Sequence, residues 1–133
     1  MSVDIGWRQP SRVIYERFYD NVTVEELSTV QQQLFQFLSE GDAPVHIIID
    51  MAAVHSFPKS LNQIRQALAP DKTGKAGRIV LVTGDNPLLK FVTSTISQIA
   101  FRDSHFTFCA VLDEAVAYLR ERDETVSLEP ISG

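Results

Sequence analysis

The sequence has a single cysteine, Cys109, and no apolar run near the roughly 20 residues that a membrane-spanning helix needs. One cysteine cannot form an internal disulfide, which fits a reducing compartment. The start, MSVDIGWRQP, has no basic segment followed by an apolar one and so shows no secretory signal. We therefore expect a cytoplasmic protein without stable membrane insertion.

Positive charge is also scarce. Twelve Lys and Arg residues stand against seventeen Asp and Glu residues, a net charge of -5, whereas a protein that binds a phosphate backbone normally has a basic excess. Nucleic acid is therefore not an expected partner. Between positions 56 and 84 the balance reverses, with five basic residues against Asp71 alone, which is typical of a solvated loop and helix face. The five are Lys59, Arg65, Lys72, Lys75 and Arg78.

Sequence motifs for metals, nucleotides and nucleophiles are missing. His46, His55 and His105 lack the spacing of a helical metal site, and neither CxxC nor HExxH accompanies them. The turn at 83–87 precedes a predicted helix but lacks the glycine pattern of a nucleotide loop. Cys109 lies between apolar neighbours, which favours a small core residue over a nucleophile. We therefore expect no metal site, no nucleotide loop and no catalytic constellation.

The composition that remains is that of an ordinary globular protein. The chain has 133 residues, 44% hydrophobic and 22% charged, which suits one domain with a proper core. We expect that domain to cover residues 1–122. The segment 123–133 has no periodicity and contains Pro130, so we expect a frayed tail.

The apolar pattern predicts nine elements in the order β-β-α-β-α-β-α-β-α. Two strands at about 3–7 and 12–19 share a short turn and predict an antiparallel hairpin. The next strand, at 45–51, contains Ile47, Ile48 and Ile49 in succession, and a run without polar alternation indicates burial on both faces in a central parallel strand. RIVLVT and HFTFCAVL predict two more strands. The expected fold class is α/β, a single mixed and mainly parallel sheet flanked by helices.

Capping signals predict where the helices begin and end. Thr23 with Glu26 predicts a capping box at the first helix, and Gly41 is expected to be a left-handed residue at its end. The caps predicted for the later helices are Ser56 or Phe57 with Pro58 in the first turn, Asp85 or Asn86 with Pro87 in the first turn, and Asp113.

The segment after the isoleucine strand is the first candidate for a functional site. In open α/β sheets, sites form beyond the carboxyl ends of the parallel strands, and we expect a loop there at 51–58. We interpret Asp50 as an acceptor of hydrogen bonds from the loop amides and His55 as an exposed histidine. An enzyme that uses Asp50 and His55 ranks last, because neither a nucleophile nor a metal joins them.

The third predicted helix has an apolar arc wider than one sheet contact requires. Leu88, Phe91 and Val92 belong to this arc. The excess surface fits either a pocket for a small apolar or lipid-like ligand or a homodimer interface. The sequence leaves both alternatives open.

The order of elements, with IIIDMAAVHSF leading into one helix and RIVLVTG leading into NPLLKFV, resembles the sulphate-transporter and anti-sigma-factor-antagonist (STAS) superfamily. Within it, the chain resembles the uncharacterised bacterial STAS-like proteins related to that antagonist. The resemblance covers roughly residues 2–122. It implies a small mixed sheet flanked by helices, no cofactor, and a function in binding partner proteins.

In the antagonist group, the resemblance places a strand-terminal aspartate at Asp50 and a kinase-modified serine at Ser60. The sequence departs from the group's pattern nearby: Pro58 replaces an acidic residue, Lys59 a serine and Leu61 a glycine. Phosphorylation of Ser60 is therefore a hypothesis that needs its own test.

We expect a non-enzymatic protein-interaction module, regulatory in the manner of an anti-sigma antagonist, with a partner of unknown identity. A binder of a small apolar or lipid-like ligand is the alternative. The candidate contact loop contains Asp50, His55, Ser56, Lys59 and Ser60, and the candidate apolar interface or pocket contains Leu88, Phe91 and Val92.

Overall fold

The computed structural model describes residues 2–101 and 104–127, and within them the chain forms five strands and four helices in the predicted order. The strands are β1 (Val3–Gln9), β2 (Val13–Asn21), β3 (Val45–Ser56), β4 (Ala76–Val82) and β5 (Phe106–Cys109). The helices are α1 (Val24–Glu40), α2 (Leu61–Ala67), α3 (Pro87–Ala100) and α4 (Leu112–Arg122).

The strands form one mixed sheet in the order β1-β2-β3-β4-β5. β1 pairs with β2 antiparallel, and β2 to β5 pair parallel, so the prediction of a mixed, mainly parallel sheet is confirmed. The tight turn between β1 and β2 contains Ser11 in the left-handed region, at φ 65. β3 lies in the middle, with Ile47 in register with Ile14 on one side and Ile79 on the other.

Helices cover both faces of β3, which explains the isoleucine run. Ile47 and Ile49 belong to the larger core, which also contains residues of α1, α2 and α3. Ile48 points to the other face and packs in a smaller core with Val116 and Leu119 of α4. All three isoleucines are buried, as the unbroken apolar run predicts.

The capping box at α1 is confirmed. Thr23 Oγ1 accepts from the Glu26 N–H at 3.2 Å, and Glu26 Oε1 accepts from the Thr23 N–H at 3.2 Å. The prediction for Gly41 is wrong, because its φ of -86 is not left-handed. Close packing requires glycine here instead: a Cβ would lie 2.7 Å from Val45 Cγ2 and 2.9 Å from the Trp7 ring.

The largest correction concerns the end of β3 and the start of α2. β3 does not end near 51; it continues to Ser56, because β2 remains paired with it through Asn21. Most of the predicted loop at 51–58 is therefore strand. Pro58 lies before α2, and the N-cap is Ser60, whose Oγ accepts from the Gln63 N–H at 3.2 Å. Ser56 and Phe57 are not caps.

One of the two caps predicted for α3 is confirmed, whereas the cap predicted for α4 is wrong. Asn86 caps α3, with Oδ1 accepting from the N–H groups of Leu88 at 3.0 Å and Leu89 at 3.2 Å, and Pro87 occupies the first turn as predicted. At α4 the N-cap position is Val111, which makes no side-chain capping bond. Asp113 lies one residue inside the helix, where its charge favours the positive end of the helix dipole.

Residues 123–127, which follow the predicted domain boundary, contact the sheet. Val126 is buried in the smaller core with α4. The Gln9 side chain donates to the Thr125 carbonyl at 2.8 Å and accepts from the Ser127 N–H at 2.8 Å. The described part of the predicted frayed tail is thus tied to β1, and positions 128–133 lie outside the described residues.

Candidate functional site

An open groove separates the end of β3 from the first half of α3. Its volume is about 460 Å³, and it lies at the edge of the sheet where the parallel strands end. We call it the rim groove. It is lined by Val54, His55, Ser56, Phe57, Pro58, Lys59 and Leu61 on one side and by Asn86, Leu88, Leu89, Phe91 and Val92 on the other.

Two large apolar side chains of α3 are exposed at the groove. Leu88 is 63% and Phe91 60% exposed, whereas Leu89 and Val92 are each 7% exposed and pack in the larger core. α3 therefore has one apolar face for the core and a second for the solvent. Adjacent exposed apolar side chains in a groove are a common mark of a contact surface.

Three residues of the predicted contact loop, His55, Ser56 and Lys59, line the rim groove. Ser56 is held in place, because its Oγ donates to Asn21 Oδ1 at 2.7 Å and its carbonyl accepts from the Val22 N–H at 2.9 Å. These bonds tie the end of β3 to the segment that enters α1. One wall of the groove is thus fixed to the sheet.

Ser60 and Asp50, the other two, are not among the lining residues. Ser60 is exposed and caps α2. Asp50 lies two residues after Ile48 along β3 and so points to the same face, that of α4, away from the groove. There Asp50 Oδ2 accepts from the Tyr15 hydroxyl at 2.6 Å, and Oδ1 accepts from the Ala52 N–H at 3.1 Å. Burial, followed by the bond to Asp50, raises the pKa of Tyr15.

A second feature, absent from the sequence-based prediction, is a narrow cavity of about 40 Å³ between the sheet, α1 and α3. We call it the core cavity. Glu16 of β2 lines it and is 4% exposed. Burial raises the pKa of Glu16 from 4.5 to about 8. The sequence carried a signal, because Glu16 lies between Ile14 and Phe18 in strict alternation, at a position that faces the core.

The described residues offer little for metal or thiol chemistry. No group of three His, Cys, Asp or Glu side chains gathers in a way that could hold a metal ion within 2–101 and 104–127. Burial, followed by the charge of Glu114, raises the pKa of the Cys109 thiol. A thiol with a raised pKa is a poor nucleophile at neutral pH. In the same ranges, every helix is too short or too polar to cross a bilayer.

Comparison with known proteins bears on the fold. No family model matches the sequence, and no curated protein is significantly similar to it. Among solved structures, the chain is similar to an uncharacterized protein of the DUF3478 family from Shewanella loihica PV-4, described as having a SpoIIAA-like fold. The TM-score is 0.56 at 19% identity, over 88% of this chain and 91% of that one.

The chain is also similar to the anti-sigma factor antagonist SpoIIAA in its unphosphorylated form. Here the TM-score is 0.57 at 10% identity, over 90% of this chain and 96% of that one. At these identities the likeness establishes the fold alone. The chain belongs to the class of mixed α/β proteins with one sheet and flanking helices. More particularly, it has a STAS-like fold of the SpoIIAA type, as the resemblance in the sequence implies.

Proposed function

We propose that this protein is a non-enzymatic protein-interaction module with a regulatory role, and that the rim groove is its contact surface. The observation that carries the proposal is the exposure of Leu88 and Phe91 beside the groove. The similar structure of SpoIIAA, an anti-sigma factor antagonist, supports a protein as the partner.

The shape and chemistry of the groove indicate what kind of partner segment it takes. Leu88 and Phe91 are three residues apart on α3 and therefore lie on one side of the helix. The opposite wall supplies Val54 and Phe57, so an apolar ridge fits between them. Exposed Lys59 lies at the edge of the groove. We infer a partner helix with apolar anchors and an acidic flank, bound in the helix-in-groove mode.

The test compares affinity captures from cells of the source organism. The double variant Leu88→Ala/Phe91→Ala removes the exposed apolar surface, and Val111→Ala is the matched control because Val111 is 53% exposed at the start of α4 and does not line the groove. We expect one protein captured by the wild type and by Val111→Ala to be lost with the double variant. That protein, once purified, should re-form a 1:1 complex with a Kd weakened at least tenfold by the double variant.

Two results would contradict this function. One is an identical set of captured proteins for all three chains. The other is a doubled mass for the purified wild-type protein in native mass spectrometry that the double variant abolishes, because the groove is then covered by a second copy of this chain.

The regulatory part of the proposal concerns Ser60, which is exposed next to the groove-lining Lys59 and Leu61. Ser60→Asp adds negative charge and keeps a good N-cap residue, so α2 should persist. We expect it to change the Kd for the captured partner at least fivefold, whereas Ser60→Asn, an uncharged cap, leaves the Kd near the wild-type value. Equal Kd values for both variants would remove Ser60 from the regulatory mechanism and leave the rim groove as a contact surface.

A further inference from the structure

The core cavity is lined almost entirely by carbon. Its walls include Phe18 of β2, Leu34 of α1, Met51 of β3 and Phe101 after α3. Four polar side chains reach it, and two of them, Gln31 and Thr93, are satisfied by the protein itself. Gln31 exchanges two 2.8 Å hydrogen bonds with the backbone of Ala69.

Two polar atoms at the cavity are different. Glu16 Oε2 and Ser97 Oγ are fully buried and have no hydrogen-bond partner among the described residues. Their residues are 4% and 1% exposed, and they approach from β2 and α3 respectively. Thr93, one turn before Ser97 on the same helix, bonds to the Leu89 carbonyl at 2.6 Å. Leaving buried polar atoms unpaired is costly and calls for a specific explanation.

We propose that the core cavity is a binding site for a small, mostly apolar molecule with one uncharged hydrogen-bonding group, of the primary-alcohol class, and that Glu16 and Ser97 hold that group. An alcohol hydroxyl offers one donor and two acceptor positions, which lets it bond to a carboxyl and a serine hydroxyl together. The carbon chain of the alcohol then contacts the apolar walls. This inference does not rest on the function proposed for the rim groove.

The lining residues favour a ligand with an uncharged polar group over a ligand with an ionic group. Lys, Arg and His side chains are absent from the residues described as lining the cavity, so an anionic group has no counter-ion there. Burial keeps the Glu16 carboxyl protonated at neutral pH, with its pKa raised to about 8. The protonated carboxyl donates one hydrogen bond and presents no charge to a cation.

The size of the cavity limits the ligand. A volume of about 40 Å³ holds roughly three water-sized groups, since one needs about 10–15 Å³. 1-Propanol is near this limit, because its four non-hydrogen atoms are joined by covalent bonds and occupy less space than four separate waters. Phe57 lines both the core cavity and the rim groove, so a longer chain that extends toward the groove has to displace that ring. We expect affinity among primary alcohols to be highest near three carbons and to fall for 1-hexanol.

The experiment is a titration of the ¹⁵N-labelled full chain with 1-propanol, in which binding is monitored through the amide chemical shifts. We expect saturable shifts centred on cavity-lining residues in the wild type and in Ser94→Ala, the matched control on the same helix, whose side chain does not line the cavity. Ser97→Ala and Glu16→Leu should weaken binding about fivefold to tenfold, the effect of one lost hydrogen bond. Glu16→Gln keeps an uncharged hydrogen-bonding group and should retain binding. It keeps the test decisive if Glu16→Leu does not fold.

Three outcomes would overturn the proposal. The first is an absence of saturable shifts with 1-propanol in the folded wild type. The second is tighter binding of n-propylammonium than of 1-propanol, because the site then selects a cation. The third is a crystal structure at high 1-propanol concentration in which ordered water alone contacts Glu16 and Ser97. None of these results bears on capture of a partner at the rim groove, so the two proposals fail separately.

Discussion

His46 Nε2 lies 2.7 Å from Asp123 Oδ2, so the central strand is tied to the residue that follows α4. His46 Nδ1 accepts from the Arg78 N–H at 3.0 Å. The ring proton is therefore on Nε2, which donates to Asp123. Gly77 makes room for the ring, because a Cβ there would lie 2.7 Å from Nδ1. One imidazole thus joins β3, β4 and the end of α4.

Asp123→Ala should destabilise the fold by about 1–3 kcal/mol, because it leaves the buried Nε2–H of His46 without an acceptor. The measurement is urea unfolding at pH 7. Glu124→Ala is the control, since Glu124 is exposed, and should change the free energy of unfolding by less than about 0.5 kcal/mol. Equal effects of the two substitutions would show that the His46–Asp123 bond contributes nothing.

The Asp123 carboxylate should also affect how the free energy of unfolding depends on pH in the acidic range. Hydrogen bonds from Thr125 and then from His46 lower the pKa of Asp123 from 3.8 to about 2. Its contribution to stability is therefore complete above pH 3.8 and is lost as the pH falls through 2. Asp123→Asn, measured by unfolding between pH 5 and 2, should lose less stability over this range than the wild type. A parallel loss in both proteins would contradict the assignment.

Glu16 should have the opposite effect at higher pH, where it should make the free energy of unfolding fall as the pH rises. Because burial raises its pKa from 4.5 to about 8, the unfolded chain releases this proton first as the pH rises. The contribution of Glu16 is thus complete below pH 4.5 and is lost between 4.5 and 8. Glu16→Gln should flatten this decline and be more stable than the wild type at pH 8. Glu25→Gln, at an exposed position of α1, should leave the decline unchanged.

Thr23→Ala should cost about 1 kcal/mol, because it removes the Oγ1 that accepts from the Glu26 N–H. Glu26 has a second role, since its Oε2 accepts from the Ser2 N–H at 2.9 Å. Glu26→Ala should therefore cost more than Thr23→Ala. Chemical unfolding of both single variants and the double variant would test this order, and additive single effects would argue against a reciprocal capping box.

Neighbouring leucines of α3 should differ sharply in their effect on stability. Leu89 is 7% exposed and packs in the larger core, so Leu89→Ala should cost about 2–5 kcal/mol. Leu88, 63% exposed, should lose less than about 0.5 kcal/mol on the same change. A large loss for Leu88→Ala would mean that this side chain supports the fold rather than a contact surface.

Predictions from the sequence succeeded where the deciding interactions are local or repeat along a strand. The capping box depends on Thr23 and Glu26, three residues apart, and the Asn86 cap acts on the next two helical amides. They failed at the end of β3, because its extension to Ser56 depends on pairing with Asn21, 35 positions earlier. They failed at Gly41 for a similar reason, since its neighbours Trp7 and Val45 come from β1 and β3.

The predictions for the candidate sites also succeeded for local features and failed where long-range packing decides. The sequence by itself determined a mixed sheet with Ile47 to Ile49 at its centre, because an unbroken apolar run has to be covered on both faces. It also placed Leu88 and Phe91 on one side of a helix through helical periodicity. Only the tertiary structure decided that Asp50 faces away from the rim groove and that Glu16 and Ser97 border one cavity. Which side chains meet depends on how strands and helices from distant parts of the chain pack, and residue spacing along one element does not contain that information.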